Sequence, residues 1–159
     1  MDAIVAVYAD WGIGADGTQP VTLRADRKRF REATAGAAVI VGRRTLADFP
    51  GGKPLPGRHN IVLTRQIIEI PGAEVVHTVE EAVVSARKYE RCFVIGGASV
   101  YRQVFPYVDR ALVTQIDLAP VSDSFFPNLD DDPAWTMADA APWQEENNVR
   151  YRFCVYERK

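Results

Sequence analysis

Residues 19–30 read Gln19-Pro20-Val21-Thr22-Leu23-Arg24-Ala25-Asp26-Arg27-Lys28-Arg29-Phe30. This stretch predicts the start and first turns of a helix. Pro20 ends whatever precedes it because it lacks an N–H and has a fixed φ, and Thr22 is a suitable N-cap because its hydroxyl can accept from a first-turn amide. Asp26 and Phe30 are four residues apart and share a helix face. The pattern therefore predicts a carboxylate that points the same way as an aromatic ring, with Leu23 beside them.

Asp26 has two interpretations at this stage. The charged residues expected on the opposite, solvent-facing side are Arg27, Lys28, Arg29, Arg31 and Glu32. Asp26 is then the one acid on the apolar side, which favours a functional role. An aspartate in the first turn of a helix also commonly just complements the helix dipole. The rest of the chain has to decide between the two interpretations.

Length and composition indicate one ordinary protein domain. The chain has 159 residues, enough for a sizeable core, and its 47% hydrophobic and 25% charged residues are typical of soluble globular proteins. A net charge of −2 gives no reason to expect nucleic-acid or membrane partners. No apolar run approaches the roughly 20 residues that span a bilayer, and Met1-Asp2-Ala3-Ile4 lacks the features of a secretion signal. We therefore expect a cytoplasmic protein.

The cysteines and histidines point to neither a disulfide nor a metal. Cys92 and Cys154 fall in apolar runs that predict strands, so two buried thiols are expected in a reducing compartment. His59 and His77 are isolated from other ligand types, whereas metal sites need clusters of ligands. No metal site is expected.

Apolar runs and turn residues along the chain predict an α/β fold. Predicted strands lie at 3–9, 37–41, 60–63, 73–77, 91–95, 110–117, 135–140 and 149–158, and predicted helices at about 24–35, 79–90 and 98–105. Thr78 with Glu81 three residues later makes a capping box for the second helix. We expect a single domain over residues 1–159, with a central, mostly parallel sheet of about eight strands, flanking helices and an antiparallel C-terminal hairpin.

A glycine motif follows the first predicted strand. Gly12, Gly14 and Gly17 match G-x-G-x-x-G, but a dinucleotide fingerprint needs a helix that begins inside the motif. The sequence from residue 16 to Pro20 continues as loop. We therefore reject the Rossmann interpretation and predict a glycine loop long enough to act as a lid.

Two strand-to-helix turns are suited to phosphate. The sequences are Gly42-Arg43-Arg44-Thr45 and Gly96-Gly97-Ala98-Ser99-Val100-Tyr101. Glycine lets a ligand approach the backbone, a helix start offers free N–H groups, and arginine binds phosphate. Thr64-Arg65 closes another strand at the edge where ligands bind in open α/β sheets. The alternatives are solvated surface arginines in the first turn and a packing role for the glycine pair in the second.

Together these motifs resemble dihydrofolate reductase over essentially the full chain. The residues that carry the resemblance are Trp11-Gly12-Ile13-Gly14, Pro20 with Leu23, Asp26 and Phe30, Val41-Gly42-Arg43-Arg44-Thr45, Pro54-Leu55-Pro56-Gly57-Arg58-His59-Asn60, Ile95-Gly96-Gly97-Ala98-Ser99-Val100-Tyr101, Thr114-Gln115-Ile116-Asp117, and Phe126-Pro127. Each motif is modest alone, but all of them in one order at suitable distances are specific.

The resemblance implies an enzyme that uses NADPH to reduce 7,8-dihydrofolate to tetrahydrofolate. Asp26 would be the catalytic residue that holds the amino-pyrimidine edge of the pterin, supported by Thr114, and Arg58 would bind a glutamate-tail carboxylate. The implied substrate residues are Val5, Ala6, Asp26, Phe30, Arg58, Ile95 and Thr114. Hydride transfer to C6 requires a proton at N5, which is expected to arrive by water.

The resemblance also implies a cofactor site. The implied residues are Ala6, Ile13, Gly14, Gly42, Arg43, Arg44, Thr45, Leu63, Thr64, Arg65, Gly96, Gly97, Ala98, Ser99, Val100 and Tyr101. Arg43, Thr64 and Arg65 would surround the adenosine 2′-phosphate, which favours NADPH over NADH. Thr45 and the glycine-pair turn would bind the diphosphate, and the glycine loop would close over the nicotinamide. The enzyme is expected to be a monomer, to serve one-carbon metabolism and to be an antifolate target.

Three residues depart from the family pattern. Val21 stands where the family usually has tryptophan, Arg27 where it has an apolar residue, and Gln19 where an apolar loop residue is common. The alternatives are therefore a reductase of another pterin or of a riboflavin-pathway pyrimidine on the same fold, and a nucleotide-binding relative without catalysis.

Overall fold

The computed structural model describes residues 1–15 and 19–159. The chain divides into two compact units. The central unit contains Met1 and Arg31–Tyr107, and the terminal unit contains Asp2–Phe30 and Val108–Lys159. Gly17, the third glycine of the G-x-G-x-x-G motif, lies outside the described residues, as does the middle of the predicted lid. The single domain expected over residues 1–159 stays a prediction.

The described residues form eleven strands and four α-helices. The strands are β1 (Asp2–Val7), β2 (Gly12–Gly14), β3 (Ala38–Gly42), β4 (His59–Leu63), β5 (Ala73–Val76), β6 (Cys92–Gly96), β7 (Arg110–Ile116), β8 (Ser124–Phe125), β9 (Trp135–Ala140), β10 (Gln144–Glu146) and β11 (Val149–Arg158). The helices are α1 (Arg24–Thr34), α2 (Arg43–Ala47), α3 (Val79–Ala86) and α4 (Ala98–Val104). No helix within these residues has the length and apolarity that a bilayer crossing requires.

The central unit is built on a parallel ladder. Strand β3 pairs with β6 on one side and β4 on the other, and β4 pairs with β5, all in parallel. Every residue of β3 is buried. A strand covered on both faces reads as a continuous apolar run, which is why this sequence lacks alternation.

The terminal unit mixes both kinds of pairing. Strand β1 runs parallel to β7, from the Asp2–Arg110 pair to the Val7–Gln115 pair. Strand β11 runs antiparallel to β7, β9 and β10. Strands β2 and β8 form a separate two-stranded ribbon.

The predicted α/β class, with a mostly parallel sheet and an antiparallel C-terminal hairpin, is confirmed. All eight predicted strands are present within a few residues of their expected bounds. The sequence did not predict β2, β8 and β10, because two or three residues are too few to show a period. The helix predicted over 79–90 ends at Ala86, where the following Arg87 is a C-cap.

Cys92 and Cys154 form no disulfide in the part of the chain that the structure describes, and only Cys154 is buried. Cys92 begins β6 at intermediate exposure. The expectation that both thiols are buried is therefore wrong for Cys92, since the first residue of a strand is less covered than its middle.

Candidate active site

Asp26 and Thr114 lie together in the terminal unit. The register of β7 places Thr114 opposite Ala6 of β1 and opposite Phe153 of β11. The buried Thr114 hydroxyl donates to Oδ1 of Asp26 at 2.7 Å. Two residues 88 positions apart, both predicted for the substrate site, are thus in direct contact.

The environment of Asp26 favours the neutral form of the acid. Burial raises the pKa of Asp26, and the Thr114 hydrogen bond and the nearby charges of Arg29 and Arg27 oppose that rise. An aspartate that only complemented a helix dipole would lie in solvent and would not show this balance. A partly buried carboxylate can still accept hydrogen bonds from a flat ligand edge, with Thr114 fixing its orientation.

The start of α1 differs from the sequence prediction. The Glu146 carboxylate, not the Thr22 hydroxyl, accepts from the first-turn amides of Arg24 at 2.7 Å and Ala25 at 3.1 Å. Thr22 is exposed. The N-cap prediction for Thr22 is wrong because the partner comes from a strand 121 residues further along the chain.

A buried cluster of the terminal unit includes a residue that the sequence did not single out. Tyr8 packs with Leu23, Ile116 and Tyr151 in a buried cluster, and Ala6, Val21 and Phe153 lie against it. The Tyr8 hydroxyl accepts from the Val21 amide at 3.1 Å, and burial raises the pKa of Tyr8. Tyr8 therefore fixes the backbone of Val21, one of the residues that depart from the family pattern. The sequence signal that could have identified Tyr8 is its hydroxyl, which lies near the end of the apolar run of residues 3–9.

Arg29 is a second correction on this helix. Its guanidinium lies over the Phe153 ring at 4.6 Å from the centroid, and Nη2 donates to the Cys154 carbonyl at 3.3 Å. Arg29 is therefore partly buried, although the sequence placed it on the solvent-facing side. Arg27, Lys28, Arg31 and Glu32 are exposed as predicted.

Two glycine turns of the central unit contact each other closely. A Cβ on Gly97 would lie 3.0 Å from Thr45 Oγ1, and a Cβ on Gly42 would lie 2.9 Å from a Val100 methyl. Gly96 has φ of 129°, a value that favours glycine. Packing therefore supplies one reason for these glycines, and a bare backbone beside the Thr45 hydroxyl supplies the feature that a diphosphate needs.

The predicted 2′-phosphate residues follow neighbouring parallel strands. Gly42 of β3 pairs with Leu63 of β4, so Arg43 and Thr64 leave the same edge of the central-unit sheet. Arg43, Arg44 and Arg65 are exposed. The cations at this edge are therefore accessible to a ligand.

Arg58 is held in place by three acceptors of the central unit. It donates through Nε to Thr34 Oγ1 at 3.1 Å, through Nη1 to the Pro56 carbonyl at 2.7 Å and through Nη2 to the Arg31 carbonyl at 3.0 Å. Burial, with a smaller effect of Arg31, lowers the pKa of Arg58. A guanidinium has five N–H groups, so these bonds leave donors for a carboxylate.

The remaining predicted residues occupy both units. In the terminal unit, Val5 is buried, and Ile13 and Gly14 belong to the β2–β8 ribbon, where the Gly14 carbonyl accepts from the Asp123 amide at 3.0 Å. Phe30 is partly buried. In the central unit, the buried members are Leu63, Ile95, Gly96, Val100 and Tyr101, and Ala98 and Ser99 begin α4. Among the residues that the structure describes, no group of three His, Cys, Asp or Glu could hold a metal.

Comparison with known proteins identifies the family. The family model described as "Dihydrofolate reductase" matches residues 1–158. The chain is 36% identical over 159 residues to dihydrofolate reductase of Bacillus subtilis, covering 98% of this chain and 93% of the relative. It is 38% identical over 152 residues to that of Mycobacterium tuberculosis, covering 92% and 90%.

A solved structure supports the same assignment. Dihydrofolate reductase from Enterococcus faecalis, complexed with NADP(H) and RAB-propyl, superposes with a TM-score of 0.88 at 33% identity, covering 99% of this chain and 95% of that one. The fold described above is thus that of an α/β reductase. The chain belongs to the dihydrofolate reductase family.

Proposed function

We propose that this chain catalyses the NADPH-dependent reduction of 7,8-dihydrofolate to 5,6,7,8-tetrahydrofolate, with Asp26 as its catalytic residue. Family membership supports the reaction. The observation that supports the role of Asp26 is its 2.7 Å hydrogen bond from the buried Thr114 hydroxyl, inside a partly desolvated environment.

The chemistry fits the residues of the terminal unit. The Asp26 carboxylate accepts two hydrogen bonds from the amino-pyrimidine edge. Thr114 fixes the orientation of the carboxylate, so that both oxygens face that edge. The negative charge stabilises the positive character that develops on the C6=N5 bond when N5 takes up a solvent proton that arrives through water, and the hydride accepted at C6 then neutralises it. Val5, Ala6 and Phe30 supply apolar contacts that exclude bulk water from the ring. Ile95 and Arg58 of the central unit are the remaining proposed substrate residues.

The central unit supplies residues suited to NADPH. The bare backbone of the glycine-pair turn beside Thr45, and exposed arginines at the ends of β3 and β4, fit a diphosphate and a 2′-phosphate. When bound, NADPH supplies the hydride. The proposed cofactor residues of this unit are Gly42, Arg43, Arg44, Thr45, Leu63, Thr64, Arg65, Gly96, Gly97, Ala98, Ser99, Val100 and Tyr101. Ala6, Ile13 and Gly14 of the terminal unit are proposed for the nicotinamide.

The proposal extends to Arg58 and to the form of the enzyme. Arg58 has its guanidinium fixed by three acceptors and binds the tail carboxylate of the substrate. We propose a monomer, and the cysteines, which form no disulfide in the described part of the chain, support a cytoplasmic location.

The deciding experiment is the Asp26→Asn variant. Asparagine keeps an acceptor for the Thr114 hydroxyl but cannot carry the charge, so we expect normal NADPH binding and loss of most turnover at neutral pH. Reduced-nicotinamide absorbance measures turnover with dihydrofolate, and a fluorescence titration measures NADPH affinity. Wild-type turnover in the variant would refute the role of Asp26.

The same assay tests the reaction itself in the wild-type protein. NADPH decay with dihydrofolate supports the proposed reaction. Decay only with another pterin or with a pyrimidine acceptor, or tight NADPH binding with no decay at all, would replace it.

A further inference from the structure

Arg29 carries a charge that the site described above does not use. It lies three residues after Asp26 on α1, so the two side chains share one side of the helix. Its guanidinium is held between the Phe153 ring and the Cys154 carbonyl of β11. Nη1 is buried, and no residue in the described ranges accepts a hydrogen bond from it. A partly buried cation is therefore fixed within one helical turn of the proposed catalytic residue.

Packing alone does not account for this arrangement. Burying a guanidinium with an unpaired N–H destabilises a fold, and an apolar side chain of similar length would cover Phe153 without that cost. The charge of Arg29 is instead balanced by Asp26. Burial lowers the pKa of Arg29, whereas Asp26 and then Cys154 oppose that change.

The other groups around Asp26 do not replace Arg29. Arg27, on the same helix, is exposed, so solvent and salt weaken its effect. Thr114, from β7, is an uncharged donor. Cys154, from β11, is kept neutral because burial raises the pKa of its thiol. Within the described part of the chain, Arg29 is the partly buried cation that acts on this acid.

We propose that Arg29 is a positioning residue of the reduction. Its fixed positive charge sets the pH range over which Asp26 and the bound pterin take up the proton that the reaction consumes. The inference rests on the proposed role of Asp26. A fixed cation favours the carboxylate form of Asp26 and disfavours a further proton on the bound pterin. Because the reduction consumes a proton at N5, the rate falls as the pH rises. Arg29 places that fall at a lower pH than an uncharged residue would.

The test compares Arg29→Met with Arg29→Lys. Methionine keeps an apolar contact with Phe153 but removes the charge, and lysine keeps the charge. The rate of hydride transfer is measured in single turnovers with NADPH and dihydrofolate, over the alkaline range of pH in which the rate falls (the alkaline limb of the pH–rate profile). For Arg29→Met we expect the limb to move to higher pH, which gives about a threefold higher relative rate there. For Arg29→Lys, and for the exposed control Lys28→Met, we expect the wild-type profile.

A second readout does not depend on turnover. Carbon-13 NMR of the Asp26 carboxyl in the ligand-free protein follows its titration directly, and Arg29→Met should titrate at higher pH than wild type and Arg29→Lys. If Arg29→Met does not fold, Arg29→Gln gives the same readout.

Two results would overturn the inference. One is an Arg29→Met profile and titration that superimpose on those of wild type. The other is lower thermal stability of that variant without any pH shift, which would make Arg29 purely structural. The proposed role of Asp26 fails separately, through an active Asp26→Asn variant, and the proposed reaction fails through the absence of NADPH decay with dihydrofolate in the wild-type protein.

Discussion

Asp26 destabilises the fold when it is ionised. Burial raises its pKa above the ordinary value of about 4, and the Thr114 hydrogen bond and two arginines offset this only in part. A raised folded-state pKa means that ionisation destabilises the fold above that pKa. Below the pKa of the unfolded chain the acid is protonated in both states and has no effect on stability. The charge that the proposed catalytic role of Asp26 requires is therefore unfavourable for the stability of the fold.

We predict that Asp26→Asn unfolds at a higher temperature than wild type at neutral pH. Asparagine retains an acceptor for Thr114 without a charge to desolvate. The difference should shrink as the pH falls through the folded-state pKa of Asp26, and should vanish below about pH 4. Thermal unfolding followed by circular dichroism over this range measures it. A variant that is less stable than wild type at neutral pH would contradict the prediction.

At the residue scale the sequence predicted contacts where helix periodicity or the family resemblance could show them. The shared face of Asp26 and Phe30 follows from local spacing, and the contact with Thr114 followed from family resemblance. The position of Arg29 could not be predicted, because its partners Phe153 and Cys154 come from a distant strand. Arg27, Lys28 and Arg29 are adjacent in sequence and all charged, so nothing in the pattern indicated that Arg29 alone is partly buried.

At the scale of elements, the N-terminus of α1 depends on a distant carboxylate. Glu146, the last residue of β10, accepts from two first-turn amides that would otherwise lack helical partners. A carboxylate there also interacts favourably with the helix dipole. The helix that carries Asp26 is thereby joined to the C-terminal strands of the same unit.

We predict that Glu146→Ala destabilises the protein by about 1 kcal/mol, the usual effect of a lost helix cap. This corresponds to a decrease of roughly 2–4 °C in the unfolding temperature for a chain of this size. The neighbouring residue Glu145 is exposed and gives the matched control, so Glu145→Ala should unfold at the same temperature as wild type. Equal effects of the two substitutions in a thermal melt would argue against the cap.

Elements defined by local signals were predicted, and elements defined by distant partners were not. The Thr78 cap is confirmed, since its hydroxyl accepts from the Glu81 amide at 3.1 Å and both residues lie within one turn. The Thr22 cap failed because Glu146 is far away in sequence. The short strand β10 was missed for a related reason, because its pairing with β11 rather than its own pattern defines it.

At the scale of the whole molecule, ligand binding should stabilise the folded chain. A ligand that binds only the folded state at 100 times its Kd adds about 2.7 kcal/mol. The proposed contacts of Arg43, Thr64 and Arg65 with a 2′-phosphate make this stabilisation specific for one of the two nicotinamide cofactors.

We predict that NADPH raises the unfolding temperature more than NADH at the same concentration, and that Arg65→Gln reduces the difference. Lys53→Gln, an exposed cation of the same unit, is the control and should keep the wild-type difference. Thermal-shift measurements with both cofactors decide this. Equal shifts for NADPH and NADH in the wild-type protein would remove the assignment of these residues to a 2′-phosphate.

The fold class was predictable as a whole because the buried strands of both units are long apolar runs separated by glycine, proline and capping residues. The parallel ladder around Ala38–Gly42 is the clearest case, since all five residues are buried. What the sequence could not give is the division of the chain into units, because their boundaries fall within a helix and after a short turn.

That division matters for the newly synthesised chain. Residues 2–30 belong with 108–159, and Asp2 pairs with Arg110. While the ribosome is still adding residues beyond 107, the β3–β6 ladder has all its strands, but β1 has no partner in β7. A nascent chain therefore carries the proposed nucleotide-binding turns before Thr114 is available to orient Asp26, so the proposed substrate site forms later in translation than the proposed cofactor turns.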